Sequence, residues 1–190
     1  MAHEPQLAPP GAGLPWPELM IARFLFARHR RRGREAHGEL FRRERDAILK
    51  LVESRPPDQR GQRVLIDRVR GLEDSSRNWS LWMTLDHLRI CHDAFAGIIA
   101  ALAAGSPPAG KASTADVKPS PQAGPETEGA FVKSCDAFLS AAEAVPDLHT
   151  AARYEHPWFG ALDADGWHAL GGLHFRIHHR QIEKIIEGLR

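Results

Sequence analysis

The chain has 190 residues, 43% of them apolar and 26% charged, which is enough for one globular domain with a sizeable core. With 25 Lys and Arg against 24 Asp and Glu the formal net charge is +1, so bulk electrostatics do not recruit a polyanion such as nucleic acid. Two cysteines, Cys91 and Cys135, exclude a disulfide framework or a cysteine-rich zinc site and suit a reducing compartment, so a soluble cytoplasmic protein is the simplest expectation.

The opening MAHEPQLAPPGAGLPWPE has several prolines and no basic segment followed by an apolar run, so residues 1–16 are expected to be a disordered leader. No apolar run is long enough for a membrane span, and no membrane partner is expected. From Pro17 the apolar residues Leu19, Phe26, Leu40, Ala47 and Leu51 recur among charges until Pro56, predicting one long helix that can break at Gly33 or Gly38. Five arginines fall within Arg28 to Arg34 on this helix. They surround it, acidic partners Glu35, Glu39 and Glu44 follow, and no aromatic platform accompanies them, which favours a solvated or oligomer-forming face over a phosphate-binding one.

Ser80 precedes an apolar periodic run that predicts a second helix over about residues 81–104, with Met83, His87, Cys91, Ala94 and Ile98 on one stripe. Trp79 and Trp82 beside its start read as core or pocket-wall aromatics. Residues 105–128 hold five prolines among Ala, Ser and Gly and are expected to be a flexible connection. A third helix follows over roughly residues 128–144, and Asp163 is a suitable N-cap for a fourth that runs to the chain end. Four long helices without strands predict an all-α four-helix bundle with one long flexible crossover, a single domain over residues 17–190.

The last helix contains HFRIHHRQI, residues 174–182. His174 and His178 are about 40° apart around the helix and roughly 6 Å apart along it, beside the apolar stripe of Trp167, Leu170, Gln181 and Ile185. His168 and His179 fall on other sides and are expected at the surface. Two inward imidazoles fit a wet cleft or hydrogen bonds to carboxylates, and they also fit a metal ion. His87, inward on the second helix, adds a third donor and favours a facial set for a divalent ion with positions left open. Cys91, one turn after His87, reads either as a further ligand or as a small buried hydrophobe.

NWSLWMTLDHL, HPWFG and GWHALGGLHFRIHHRQIEKI together resemble the DinB-like superfamily, the DinB/YfiT group of four-helix metalloproteins, over about residues 64–104 and 128–188. The resemblance implies His87, His174 and His178 as metal ligands and Gln181 as the glutamine that trails them. The Arg-Gly-Gln frequent after the last histidine is Arg180-Gln181 here, without the glycine. By the same resemblance the expected function is a metal-dependent, thiol-dependent transferase or a hydrolase acting on an unknown small molecule. Its expected cofactors are zinc or nickel and a low-molecular-weight thiol. The alternative is a non-enzymatic metal-stabilised or stress-related binding bundle. Candidate bases are Asp86, His92 and His156; the last sits in HPWFG, which reads first as an aromatic plug of Trp158 and Phe159 over the bundle end and second as a loop that brings His156 to the mouth of the site. Trp167 and His156 are expected in or beside the pocket, and the apolar residues of the first helix allow a homodimer.

Overall fold

Two polar side chains set the starts of the helices that carry the histidines. In the computed structural model, which describes residues 5–189, Ser80 Oγ accepts from the Met83 N–H at 3.1 Å and opens a helix over Leu81–Ala103. Asp163 Oδ1 accepts from the Gly166 N–H at 2.9 Å and opens another over Ala164–Gly188. In chain order the helices are α1 (Trp16–Arg30), α2 (Gly33–Glu53), the single turn α3 (Pro57–Arg60), α4 (Leu81–Ala103), α5 (Glu126–Glu143) and α6 (Ala164–Gly188).

The four-helix bundle consists of α2, α4, α5 and α6, with α6 packed on both α2 and α4, and α4 packed on α5. Its centre is aromatic: Phe41, Phe138 and Phe175 are fully buried, with the Phe41 ring centroid 4.5 Å from each of the other two. Two consecutive glycines on α6 make this approach possible. A Cβ on Gly171 would lie 2.6 Å from Phe138 Cζ, and one on Gly172 would lie 2.8 Å from Leu40 Cγ.

The long first helix expected from Pro17 is divided into α1 and α2. Gly33, at φ +81°, takes the left-handed conformation that turns the chain, while Gly38 stays helical and buried inside α2. Just after the turn, Arg34 donates to Ala142 O at 2.7 Å and Val145 O at 2.8 Å, so its cation covers the carbonyl end of α5. Arg30 donates to Asp163 Oδ1 at 2.6 Å, at the start of α6. Two of the clustered arginines therefore tie helix ends together, and Arg28, Arg31 and Arg32 remain exposed.

Among the described residues four short strands also form, against the expectation of none. β1 (Val64–Leu65) pairs antiparallel with β2 (Asn78–Trp79), and β3 (Tyr154–His156) with β4 (Gly160–Leu162). Runs this short carry no readable alternation. The β3–β4 hairpin presents HPWFG at its tip, where Phe159 packs on Phe26 of α1 at 4.4 Å and His156 faces Trp167 of α6 at 5.4 Å between ring centroids.

Residues 5–15 and 104–125 have no helix, yet they receive hydrogen-bond partners from outside. The Ala8 N–H reaches Asp74 Oδ2 at 2.8 Å, the Ala112 N–H reaches Glu155 O at 3.0 Å, and the Ser120 N–H reaches Asp86 Oδ2 at 2.8 Å. Among the described residues no helix is long and apolar enough to cross a membrane.

Candidate metal centre

His87 and Cys91 stand one turn apart on α4, and His174 and His178 one turn apart on α6. Packing of the two helices brings the three rings together. Ring centroids are 5.1 Å apart for His87 and His174, and 4.6 Å apart for His178 with either of them. His87 Nε2 lies 3.1 Å from His174 Nε2 and 3.7 Å from Cys91 Sγ. The donor atoms of His87, Cys91 and His174 all fall within 4.8 Å of one another.

Two neighbours decide where the lone pairs point. Val117 O can only accept, so the His87 Nδ1, 2.6 Å away, carries its proton and Nε2 is left with a lone pair. Gln181 Nε2 donates to Ser76 O at 2.7 Å, which fixes its amide so that Oε1 accepts from His178 Nδ1 at 2.6 Å. His178 Nε2 is thereby left as an acceptor as well. Trp79 lies parallel to the His178 ring, with centroids 6.2 Å apart.

Burial holds the His87 imidazole down at about 4 and keeps His174 and His178 well below the ordinary histidine value. All three rings are therefore neutral near pH 7. His174 is half-buried and lines a cavity, while its Nδ1 is enclosed without a hydrogen-bond partner.

Such a set of donors fits a divalent ion. Without an ion, His174 Nε2–H donates to the bare His87 Nε2 at 3.1 Å, and an ion between the two would take the place of that proton; nitrogen and sulfur donors suit zinc or nickel. Two imidazole nitrogens on one tetrahedral zinc, each at roughly 2.05 Å, stand about 3.3 Å apart. The 3.1 Å between the His87 and His174 nitrogens is close to that.

The cluster lies in the wall of a cavity of about 410 Å³ that is otherwise mostly apolar, with Leu72, Phe95, Ile98, Phe159, Trp167 and Ile177 among its lining residues. His156 lines the same cavity; its Nδ1 accepts from the Trp158 N–H at 3.1 Å, and burial pushes its pKa down to about 3. The structure thus gathers His87, Cys91, His174, His178 and Gln181, with His156 and Trp167 across the same space.

Two candidate bases are placed elsewhere. Asp86 accepts from the Ser120 N–H and from Arg89 at 2.9 Å, so it anchors the connection rather than facing the cavity. His92 is enclosed by Phe41, Phe95, Phe138 and Phe175, and burial lowers it to about 3. The surface expectation for His168 is corrected: it is 3% exposed, packed between His37 and Phe138. The first half of α6 is buried all round, so the assumption of a single inward stripe fails there. His179 is half-buried and pairs with Glu44 at 2.9 Å.

The residues that sequence reasoning missed come from loops. Glu73 accepts from Thr114 Oγ1 at 2.7 Å and from Lys118 Nζ at 3.0 Å. Burial alone would raise the Glu73 carboxyl, but these two donors outweigh it and the net shift is downward. Lys118 also reaches Ser75 and Ser76 and lies over the Trp79 ring, 5.5 Å from its centroid. Nothing in a Pro/Ala/Ser-rich composition marks these positions.

No curated protein matches the chain significantly. Among solved structures it is similar to TT2238, described as a four-helix bundle protein, with a TM-score of 0.58 and 16% identity over 80% of this chain and 98% of that one. At that identity the likeness speaks for the fold. The family model of the DinB superfamily matches residues 40–182, from α2 into the last turns of α6, and so includes His87, His174 and His178. A match over most of the chain, on a four-helix bundle of this kind, leads to one conclusion: the protein belongs to the DinB superfamily.

Proposed function

We propose that the protein binds a divalent metal ion through His87, His174 and His178, and that it is a metal-dependent transferase using a low-molecular-weight thiol, or a hydrolase, acting on a small molecule held in the apolar cavity. One observation carries this reading: Val117 O and Gln181 hold His87 and His178 in the tautomer that leaves Nε2 unprotonated, in rings whose centroids are 4.6 Å apart and lie 5.1 and 4.6 Å from that of His174. When bound, the ion would supply Lewis acidity, lowering the pKa of a thiol or water next to it. The chain's own residues do the rest. Neutral rings leave the full positive charge of the ion uncompensated, the apolar walls exclude competing water, and His156 stands across the cavity as an uncharged ring.

Metal analysis of the purified protein beside His178→Ala tests the reading. About one equivalent of zinc or nickel in the wild type, lost in the variant, supports it; wild type without metal, its melting temperature unchanged by a chelator, refutes it. A second reading, in which the ion only clamps α4 to α6, is favoured by the origin of the donors on two packed helices. A loaded protein with no activity toward thiols or esters would support that reading.

A homodimer and a cytoplasmic setting belong to the same proposal. Trp16, Met20, Ile21, Phe24 and Leu25 form an exposed apolar stripe on α1, and both cysteines are free thiols.

A further inference from the structure

We infer that the buried Glu73 carboxylate is a positioning group for the metal centre, gripping the segment whose Val117 carbonyl keeps the His87 Nε2 lone pair free for the ion; the inference rests on the metal site proposed above. Three ties converge on the stretch from Thr114 to Ser120. Thr114 Oγ1 donates to Glu73 Oε1 at 2.7 Å and Lys118 Nζ to Glu73 Oε2 at 3.0 Å, while the Ser120 N–H reaches Asp86, the neighbour of His87, at 2.8 Å. Between them Val117 O accepts from His87 Nδ1 at 2.6 Å. Glu73 thus holds the chain on both sides of that carbonyl.

The grip is needed because this stretch cannot order itself. Residues 114–120 lie in no helix or strand and bring no large apolar side chain except Val117, so an untied carbonyl there would lose much conformational freedom on meeting the ring. Glu73 is a fixed anchor: it is 5% exposed, and a carboxylate so buried is stable only with donors around it, which Thr114 and Lys118 supply. Ser75 Oγ and Ser76 Oγ accept from the same ammonium at 2.9 and 3.2 Å, but as neutral acceptors they bind it more weakly than the carboxylate does.

The second ring is oriented without this carboxylate. Ser76 O accepts from Gln181, which sets His178, and the Ser76 N–H is held by the Glu73 backbone carbonyl at 3.0 Å. The Glu73 side chain therefore acts on His87 alone. In Glu73→Gln an NH2 group replaces one oxygen, so the amide accepts from Thr114 or from Lys118 but not from both. Val117 O is then free to leave His87, and the imidazole proton can shift to Nε2, where it competes with the ion.

Nitrogen-15 NMR of the histidine rings in the metal-free full-length protein, beside zinc titration, tests this. In the wild type both His87 and His178 are expected to show a slowly exchanging proton on Nδ1. Glu73→Gln is expected to lose the His87 signal, keep that of His178, and bind zinc at least about tenfold more weakly. Thr114→Val leaves the carboxylate and its ion pair in place and is expected to move both readouts the same way by less; no change in either would overturn the inference even where Glu73→Gln does not fold. Asp74→Asn is the control, since Asp74 accepts from the Ala8 N–H and from Arg77 rather than from this segment, and both readouts are expected to stay. A Glu73→Gln protein with the His87 signal and the zinc affinity of the wild type would overturn the inference and leave the three-histidine site standing. Loss of both ring signals together would also overturn it, as a general loosening of the bundle. Wild type that binds no zinc would remove the metal site itself, and this role with it, whatever the rings show.

Discussion

Gln181 is the residue on which the geometry of His178 turns. It is fully buried and spends both ends of its amide, one on the histidine and one on the Ser76 carbonyl. Gln181→Leu keeps the volume and removes both bonds, leaving the His178 ring free to rotate or change tautomer. Metal affinity is expected to fall about 10- to 100-fold, measured by competition with a chromophoric chelator, while helix content stays unchanged. His29, His37 and His168 form another buried group at the α1, α2 and α6 junction, where His37 Nδ1 lies 3.2 Å from His29 Nε2. Burial, the first cause for each, lowers all three to about 4 from an ordinary 6.5. The unfolded chain therefore takes up protons on these rings that the folded protein refuses, so stability rises with pH across that interval and is lost as pH falls from 6.5 toward 4. A loss of about 2 kcal/mol or more between pH 7 and pH 5 is expected, read from urea midpoints of the chelated protein. A flat profile would mean that the rings are solvated.

Among the elements, α6 shows how closely a helix can be specified by its smallest residues. Gly171→Ala would press a methyl into Phe138, whose ring already stacks on Phe41. The expected cost is about 1 to 3 kcal/mol, seen as a lowered thermal midpoint. Gly97 is the contrast, since it is exposed inside α4 and a Cβ there meets nothing within 4 Å. Gly97→Ala should stabilise by about 0.5 to 1 kcal/mol. Much at this scale was legible in the sequence. Ser80 and Asp163 sit where their helices begin, and the spacing of His174 and His178 placed them together on one face. Other features left no trace in residue types. The partners that orient His87 and His178 end on the backbone carbonyls of Val117 and Ser76, and a carbonyl is the same in every residue. His168 misled for a different reason: face counting presumes that one side of a helix meets water, and α6 begins where none does.

For the molecule as a whole, the most exposed feature is the outer side of α1. Trp16 is 72% exposed and Phe24 68%, with Met20, Ile21 and Leu25 beside them. The proposed homodimer would cover this stripe. Sedimentation velocity is expected to show a dimer that Phe24→Asp converts to monomer with an unchanged melting profile at low protein concentration; wild type sedimenting as a monomer at high concentration would count against it.

The hydrogen bond from His87 to Val117 O joins the centre of the bundle to a segment whose composition gives it little order of its own. Whatever steadies that imidazole also steadies the segment, and by reciprocity whatever holds the segment down favours occupancy of the cluster. Lys111, followed by Ala112, lies on this stretch, and Lys118 is shielded from trypsin by Pro119. Trypsin should therefore cut the chelated protein there faster than the metal-loaded one, and a protease working from outside would report whether an ion is held within.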